Sequence, residues 1–265
     1  MTDTYPLTVD GRTLDVTVDL HGGAGRPVLL LHGGGGPQTV ATFGALLARQ
    51  RPATVHIPVH PGFDGTPRPG WLSDVPALAR VYAELLETLA LQDVAVVGNS
   101  IGGWIAAELA ALGSDRIGSV TLVNAVGVDV PGHPVADTFE LTPAELARLS
   151  FHDPSKFRFD PSALSEAQRE NAAANRAVLR VYSGPDDMAD PTLRARLAKI
   201  TKPALVAWGA GDQVVDADYG RAYAEAIPGA EFRLLPGTGH MPQVETPAEF
   251  LDALWEFVGT GASVG

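Results

Sequence analysis

The chain has 265 residues, a formal net charge of −12 and no cysteine, and 45% of its residues are hydrophobic, as in an ordinary soluble globular protein. The negative charge argues against a nucleic-acid partner, and the absence of cysteine excludes disulfides, thiolate metal ligands and cysteine nucleophiles. No run approaches the roughly 18 apolar residues of a membrane span, and the first residues lack a signal-peptide pattern, so we expect no membrane partner and a cytoplasmic location.

The first predicted element is an antiparallel hairpin. Residues 13–20 alternate strictly between apolar and polar side chains, as a half-exposed strand does, and residues 7–9 are expected to pair with them. Short apolar runs separated by helical patterns follow, at residues 28–31, 53–57, 94–97, 120–123, 205–208 and 232–235. Runs that are apolar on both faces and joined by helices predict a mostly parallel sheet, here of eight strands, flanked by helices in an α/β fold.

Two helices outside the long interruption described next have clear start signals. Ser73 is expected to cap a helix with Pro76 in its first turn. A closing helix is predicted over residues 246–258, with Pro247 just inside its start. Proline is favoured there because the first N–H groups of a helix have no intrahelical partner.

The alternation of strands and helices stops over residues 129–199, which we call the insertion. The insertion contains no convincing strand, and helices are expected to begin at Thr142, which opens a capping box, and at Asp190. A longer helix is predicted over residues 162–182. The insertion is therefore predicted to be a helical cap, and the core domain is formed by residues 1–128 and 200–265.

The stretch Gly98-Asn99-Ser100-Ile101-Gly102 lies between an apolar strand run and a helix-forming segment. A G-x-S-x-G sequence on a strand-to-helix turn is a nucleophile elbow. The turn holds the serine in a strained backbone conformation, and the glycines relieve the crowding that β-carbons would cause. Ser100 is therefore the predicted nucleophile.

A serine nucleophile needs a base and an orienting acid. The predicted base is His240, in a glycine-bracketed loop after the last strand run, which we call the histidine loop (residues 236–241). The predicted acid is Asp212, shortly after the preceding strand run. Asp216 and Asp218 compete for that role, but both are interpreted as solvated positions at the start of the next helix.

Four consecutive glycines follow the third predicted strand, the apolar run at residues 28–31, in what we call the oxyanion loop (residues 32–37). Backbone N–H groups stabilise an oxyanion, and glycines let the chain approach a reacting carbonyl closely. The predicted donors are the N–H groups of Gly34 and Ile101. Nucleotide binding is not expected, because the loop lacks both G-K-[ST] and G-x-G-x-x-G, and His32 is expected to shape the loop rather than titrate.

Two other groups of side chains are given no catalytic role. His56 and His60 are four residues apart, but Pro58 lies between them, so no metal site is predicted. The phenylalanines of the insertion fit two interpretations, an acyl pocket or the insertion's own small core. They are Phe139, Phe151, Phe157 and Phe159.

The chain resembles the α/β-hydrolase superfamily over essentially its whole length. The matching segments are residues 32–37, 60–66, 98–103, 208–212 and 239–240. The resemblance implies an α/β-hydrolase fold with a helical cap and a Ser-His-Asp triad that acts without a cofactor or metal. It also implies that Gly33, Asn99 and Met241, which neighbour the catalytic groups in the chain, contribute to substrate binding.

Within the superfamily, the glycine-rich loop and Asn99 resemble the carbon–carbon hydrolases that cleave ring-fission products. Those enzymes usually carry tryptophan where this chain has Met241, and they hold the substrate carboxylate with a cap arginine, for which Arg169, Arg176 and Arg180 are candidates. Because of these departures, we expect a carboxylesterase-like serine hydrolase of small to medium esters, thioesters or lactones. The serine at the elbow argues against epoxide hydrolases and haloalkane dehalogenases, which place an aspartate there.

Three alternatives stay open at this point. The same residues could cleave a carbon–carbon bond in a diketone-like substrate. The fold also resembles hydroxynitrile lyases and perhydrolases, and it serves as a small-molecule receptor that keeps the triad. Because fold alone does not choose among these functions, the expected partner is simply a small-molecule substrate, and a homodimer is left open.

Overall fold

The computed structural model describes residues 1–157, 165–184 and 188–259. The strands within these residues are β1 (Thr2–Val9), β2 (Arg12–His21), β3 (Arg26–Leu31), β4 (Ala53–Pro58), β5 (Val94–Asn99), β6 (Ile117–Val123), β7 (Gly127–Val128), β8 (Ala189–Asp190), β9 (Ala204–Gly209) and β10 (Glu231–Leu235). The predicted eight-stranded sheet is confirmed, with the order β1-β2-β4-β3-β5-β6-β9-β10. β1 and β2 are antiparallel to their neighbours, whereas the other six strands run parallel.

The described helices cover both faces of this sheet. They are α1 (Gln38–Gln50), α2 (Val75–Thr88), α3 (Ile101–Ala111), α4 (Pro143–Ser150), α5 (Glu166–Ser183), α6 (Leu193–Leu197), α7 (Ala217–Glu225), α8 (Pro242–Glu245) and α9 (Pro247–Gly259). Apolar side chains of α2, α3 and α7 pack on one face and those of α1 and α9 on the other. Successive residues of a strand point to opposite faces, so Leu29 and Leu30 of β3 enter different cores and the strand reads as continuously apolar.

Two helix starts differ from the sequence prediction. The cap of α2 is Asp74, not Ser73, because the Asp74 carboxylate accepts the N–H of Ala77 at 2.7 Å. α6 begins at Leu193 rather than at Asp190, whose side chain instead accepts the backbone N–H of Thr192 at 2.8 Å. In both cases several capping residues stand close together, and local sequence does not say which of them faces the free N–H groups.

The insertion contains α4, α5 and α6, and its expected capping box at Thr142 is present. The long helix starts at Glu166; the residues predicted to begin it, 162–164, lie outside the described part of the chain. Two short strands were not predicted: β8, which lies in the insertion, pairs with β7 in a separate two-stranded sheet. Among the described helices, none has the length and apolar character needed to cross a membrane.

Candidate active site

Ser100 occupies the turn between β5 and α3, with φ 58° and ψ −122°. This positive φ is unfavourable for a residue that carries a β-carbon. The turn is so tight that a β-carbon at Gly98 would lie 2.0 Å from the carbonyl oxygen of Gly102, and one at Gly102 would lie 2.5 Å from that of His32. The two glycines of the motif are therefore required by close backbone approach.

The strain at Ser100 predicts that Ser100→Gly is more stable than Ser100→Ala. Both variants lose the hydroxyl, but only glycine relaxes the positive φ, which is worth about 1–3 kcal/mol before a smaller entropic loss. We expect the glycine variant to be about 1–2 kcal/mol more stable, which raises the melting temperature by about 2–8 °C in a chain of this size. Ser114, which does not have a positive φ, is the control, and there glycine should be the less stable replacement. Equal melting temperatures for the two Ser100 variants would contradict the assignment of strain.

The side chain of Asp212 is fully buried and lies 2.8 Å from His240, between Oδ2 and Nδ1. Its other oxygen, Oδ1, accepts the backbone N–H groups of Val214 at 2.8 Å and Val215 at 3.2 Å. An ionised carboxylate only accepts hydrogen bonds, so Nδ1 of His240 carries the proton. This tautomer leaves Nε2 of His240 free to accept a proton.

Asn124, which sequence reasoning missed, holds the same carboxylate. Its Nδ2 donates to Asp212 Oδ2 at 2.6 Å, and its Oδ1 accepts the N–H of Gly209 at 3.3 Å. Asn124 is fully buried with φ 46°, a conformation that asparagine tolerates better than most residues. Its position in the chain was the one signal that could have pointed to this role. Asn124 directly follows β6, and β6 lies beside β9, the strand that precedes Asp212.

Asn99 connects the elbow to the histidine loop. Its Nδ2 donates to the carbonyl oxygens of His240 at 2.9 Å and Val123 at 3.2 Å, and its Oδ1 accepts Nε2 of Gln243 at 3.1 Å. The residue next to Ser100 is thus bonded to the residue predicted as the base. Ser100 and His240 both lie in the described part of the chain, and Oγ of Ser100 makes no hydrogen bond with the His240 ring. Hydrogen bonds between catalytic groups are often long or poorly aligned without substrate.

The rival acids lie where the sequence placed them, at the start of α7. Asp216 caps this helix by accepting the N–H of Tyr219 at 2.9 Å, and it pairs with His133 at 2.7 Å. This hydrogen bond raises the pKa of His133 above its ordinary value. Asp218 faces Arg221 at 3.6 Å, and neither rival contacts a histidine of the candidate site.

The oxyanion loop lies beside the elbow. A β-carbon at Gly33 would lie 3.4 Å from that of Ser100, and one at Gly34 would lie 2.5 Å from Cδ2 of Leu179 in α5. Ile101 is the first residue of α3, so its N–H has no acceptor within the helix. The predicted donors, Gly34 and Ile101, thus belong to two segments that both adjoin Ser100. Their role as oxyanion donors stays a prediction.

His32 and His60 support this loop from within the core. Nδ1 of His32 donates to the carbonyl of Gly33 at 2.7 Å, and its Nε2 accepts the N–H of His60 at 3.1 Å. His60 Nε2 donates back to the His32 carbonyl at 2.9 Å, and its Nδ1 accepts the hydroxyl of Tyr82. Burial lowers the pKa of His32 to about 4 and that of His60 well below its ordinary value, so both rings stay neutral and structural.

Two of the candidate cap arginines are bonded within the insertion. Arg176 donates to the carbonyl oxygens of Phe139 and Leu141, each at 3.2 Å. Arg180 pairs with Glu140 at 3.2 Å and lies 4.5 Å from the centre of the Phe139 ring. Both guanidinium groups therefore hold the segment that precedes α4.

The insertion's aromatic side chains also contact one another. The rings of Phe151 and Phe157 stack with their centres 4.5 Å apart, which favours the interpretation of a small core within the insertion. Phe159 lies outside the described residues.

Three residues were predicted to bind substrate, and their binding roles stay predictions. Gly33 lies against Ser100, and Met241 is half-buried directly after His240. Asn99 uses both amide atoms in bonds within the protein, which assigns it a part in positioning the histidine loop. No cluster of three or more histidine, aspartate or glutamate side chains in the described part of the chain could hold a metal ion.

A sequence model of the family described as alpha/beta hydrolase fold matches residues 26–247. A Paraburkholderia phymatum protein named 2-hydroxy-6-oxononadienedioate/2-hydroxy-6-oxononatrienedioate hydrolase is 30% identical over 202 residues, which cover 68% of this chain and 67% of that protein. The match therefore spans about two thirds of each protein.

Solved structures of similar fold include an esterase and a meta-cleavage product hydrolase. A thermophilic esterase from Thermogutta terrifontis superposes with a TM-score of 0.76 at 23% identity, over 98% of this chain and 100% of that one. A meta-cleavage product hydrolase from Pseudomonas fluorescens superposes with a TM-score of 0.75 at 21% identity, over 97% of each chain. These likenesses agree with the predicted fold class.

Proposed function

The chain belongs to the alpha/beta hydrolase family, and we propose that within it the protein is a serine hydrolase of small to medium carboxylic esters, thioesters or lactones. The observation that carries the proposal is the 2.8 Å hydrogen bond between buried Asp212 and His240, in loops at the same sheet edge as the strained Ser100. Because β5, β9 and β10 run parallel in one sheet, their carboxyl ends bring the three side chains to this edge.

In the proposed mechanism, Nε2 of His240 takes the proton of Ser100 Oγ as this oxygen attacks the substrate carbonyl carbon. The oxyanion that forms accepts hydrogen bonds from the N–H groups of Gly34 and Ile101. His240 then gives its proton to the leaving alcohol or thiol, and an acyl-enzyme remains. A water molecule, deprotonated by His240, attacks the acyl carbon and releases the acid, and Ser100 regains its proton. Asp212 stabilises the protonated imidazole, and no cofactor is needed.

The insertion is proposed to act as a cap over this site. Leu179 of α5 contacts Gly34, the proposed oxyanion donor, and α5 also reaches the loop after β4, where the Tyr182 hydroxyl donates to the Pro61 carbonyl at 2.7 Å. A substrate acyl chain beside Gly34 would therefore meet Leu179.

A second candidate function is hydrolysis of a carbon–carbon bond in a diketone-like substrate. The relative from Paraburkholderia phymatum favours it, because that protein is named as a hydrolase of 2-hydroxy-6-oxo-dienedioate compounds. The contacts of Arg176 and Arg180 argue the other way, because both guanidinium groups are bonded to the segment of the insertion that precedes α4.

The deciding experiment compares two substrate classes on the wild-type protein. The first comprises p-nitrophenyl acetate, butyrate and octanoate, and the second a 2-hydroxy-6-oxo-dienoate that lacks any ester. Multiple turnovers of the esters, at a kcat/KM well above that of the dienoate, support the ester hydrolase. The reverse order favours the carbon–carbon hydrolase, and turnover of neither class would contradict both proposals.

Leu179→Ala is expected to shift the acyl preference towards longer chains. The substitution removes the methyl groups that crowd Gly34, and each methylene of pocket space is worth about 1–3 kcal/mol in discrimination. We expect the octanoate-to-acetate ratio of kcat/KM to rise by about tenfold. Val178→Ala is the control, because Val178 contacts Gly62 instead of the oxyanion loop. An unchanged ratio in Leu179→Ala, or an equal shift in Val178→Ala, would contradict this assignment.

A further inference from the structure

Glu245, at the end of α8, joins the histidine loop to the insertion. Its Oε2 accepts the backbone N–H of Gly239 at 2.7 Å and that of His152 at 3.1 Å. Its Oε1 accepts the backbone N–H of Asp153 at 3.0 Å, and the Thr238 hydroxyl lies 3.4 Å from Oε2. One carboxylate therefore bonds to two residues that precede His240 in the chain and to two residues of the insertion.

The backbone of the proposed base also rests on the insertion directly. The N–H of His240 donates to the carbonyl of Ser150, the last residue of α4, at 2.6 Å. The contact is so close that a β-carbon at Gly239 would lie 2.3 Å from the same carbonyl oxygen. The loop after β9, which carries Asp212, is attached in a similar way, since the N–H of Gln213 donates to the carbonyl of Leu149 at 3.0 Å.

We propose that Glu245 is a positioning residue, which couples docking of insertion residues 149–153 to the orientation of His240. The argument is one of donors and acceptors. Three backbone N–H groups from two separate segments converge on Glu245, and only a group with two accepting oxygens satisfies all of them. When the insertion is docked, the N–H groups of Gly239 and His240 are both fixed, and the imidazole that follows is held towards Asp212.

A second carboxylate supplies a matched control on the other side of the insertion. Asp64, in the loop after β4, accepts Nδ2 of Asn171 at 2.8 Å and of Asn175 at 3.1 Å, and its own N–H donates to Asn175 Oδ1 at 2.9 Å. These bonds hold α5 but do not touch the histidine loop. Only loss of the Glu245 carboxylate is therefore expected to free the base.

The test compares Glu245→Gln with Asp64→Asn, two isosteric changes that each replace one carboxylate oxygen by an NH₂ group. Both oxygens of Glu245 accept backbone N–H groups, whereas Asn171 and Asn175 donate to the same oxygen of Asp64, which asparagine keeps. Amide hydrogen exchange is measured without substrate, and it should rise at residues 236–241 and 149–153 in Glu245→Gln only. The same variant should lose about tenfold in kcat with little change in KM, as expected when one bond to a charged group is lost. Asp64→Asn should leave exchange in α5, kcat and KM close to those of the wild type, because the oxygen that accepts Asn171 and Asn175 is kept.

The inference rests on the proposed function for its kinetic arm but not for its exchange arm. Raised exchange at residues 236–241 in Glu245→Gln, together with a wild-type protein that turns over no ester, would support the coupling and contradict the proposed function. Unchanged exchange there, or an equal fall of kcat in Asp64→Asn, would overturn the coupling. Thermal unfolding checks that each variant is folded. If Glu245→Gln does not fold, Glu245→Asp is measured instead: it keeps both accepting oxygens but draws them back by one methylene from the three N–H groups, and it should raise exchange in the same two segments.

Discussion

Ser100→Ala is expected to lower kcat/KM for p-nitrophenyl esters by about 10⁴-fold or more while the protein stays folded. In the proposed mechanism, the variant without the hydroxyl forms no acyl-enzyme, and the proposed oxyanion donors and His240 can assist only direct attack by water. Little else should change, since the Ser100 side chain makes no hydrogen bond with His240 and the strained backbone is common to serine and alanine. The measurement is steady-state hydrolysis with matched protein concentrations and circular dichroism.

Ser114→Ala is the control for this variant, because it makes the same chemical change outside the site. Ser114 precedes β6, and within the described part of the chain its hydroxyl accepts only the nearby N–H of Arg116. Its activity should equal that of the wild type. If Ser100→Ala retained more than about one tenth of the wild-type rate, the covalent mechanism would be contradicted, because removal of a serine nucleophile costs far more than that.

Most of the fold was predictable because its signals are local. Each of the six apolar runs lies within a strand of the sheet, and the strict alternation of residues 13–20 lies within β2, whose outer face is polar. The elbow was predictable because its motif is local, and Gly98 is required by close approach to Gly102 within the same five residues. The reason for Gly102 is not local, since a β-carbon there would meet the carbonyl oxygen of His32. Helix caps were less certain, as Asp74 shows, because neighbouring serine and aspartate compete for one set of N–H groups.

The unpredicted parts of the site depend on contacts between distant segments. Asn124 meets Asp212 across 88 residues of chain, and Glu245 meets Asp153 across 92. No local pattern distinguishes such an asparagine or glutamate from one on the surface, and the partner is selected only by the order of strands in the sheet. The insertion is the extreme case, because its helices could be predicted while the loops on which they rest could not.

The carboxylate of Asp212 is surrounded entirely by donors, and this predicts the effect of Asp212→Asn. Two backbone N–H groups point at Oδ1, and Asn124 and His240 both donate to Oδ2. An asparagine must place its NH₂ group where one of the two oxygens was. That NH₂ group, itself a donor, then faces the donors that had bonded to this oxygen. If the NH₂ group faces His240, it donates to Nδ1 and forces the proton onto Nε2, the nitrogen that must accept the proton of Ser100.

Asp212→Asn is therefore expected to lower kcat by about 10⁴-fold near neutral pH, with a much smaller change in KM, because the wrong imidazole tautomer cannot act as the base. Asp216→Asn is the matched control. It changes the rival carboxylate of the same loop region, and asparagine caps α7 as well as aspartate does, so its activity should stay within about twofold of the wild type. Steady-state kinetics of the two variants decide between the two acids. A large loss in Asp216→Asn with near-normal turnover in Asp212→Asn would reverse the assignment, and equal losses in both would show that the loop after β9, rather than one buried carboxylate, orients the base.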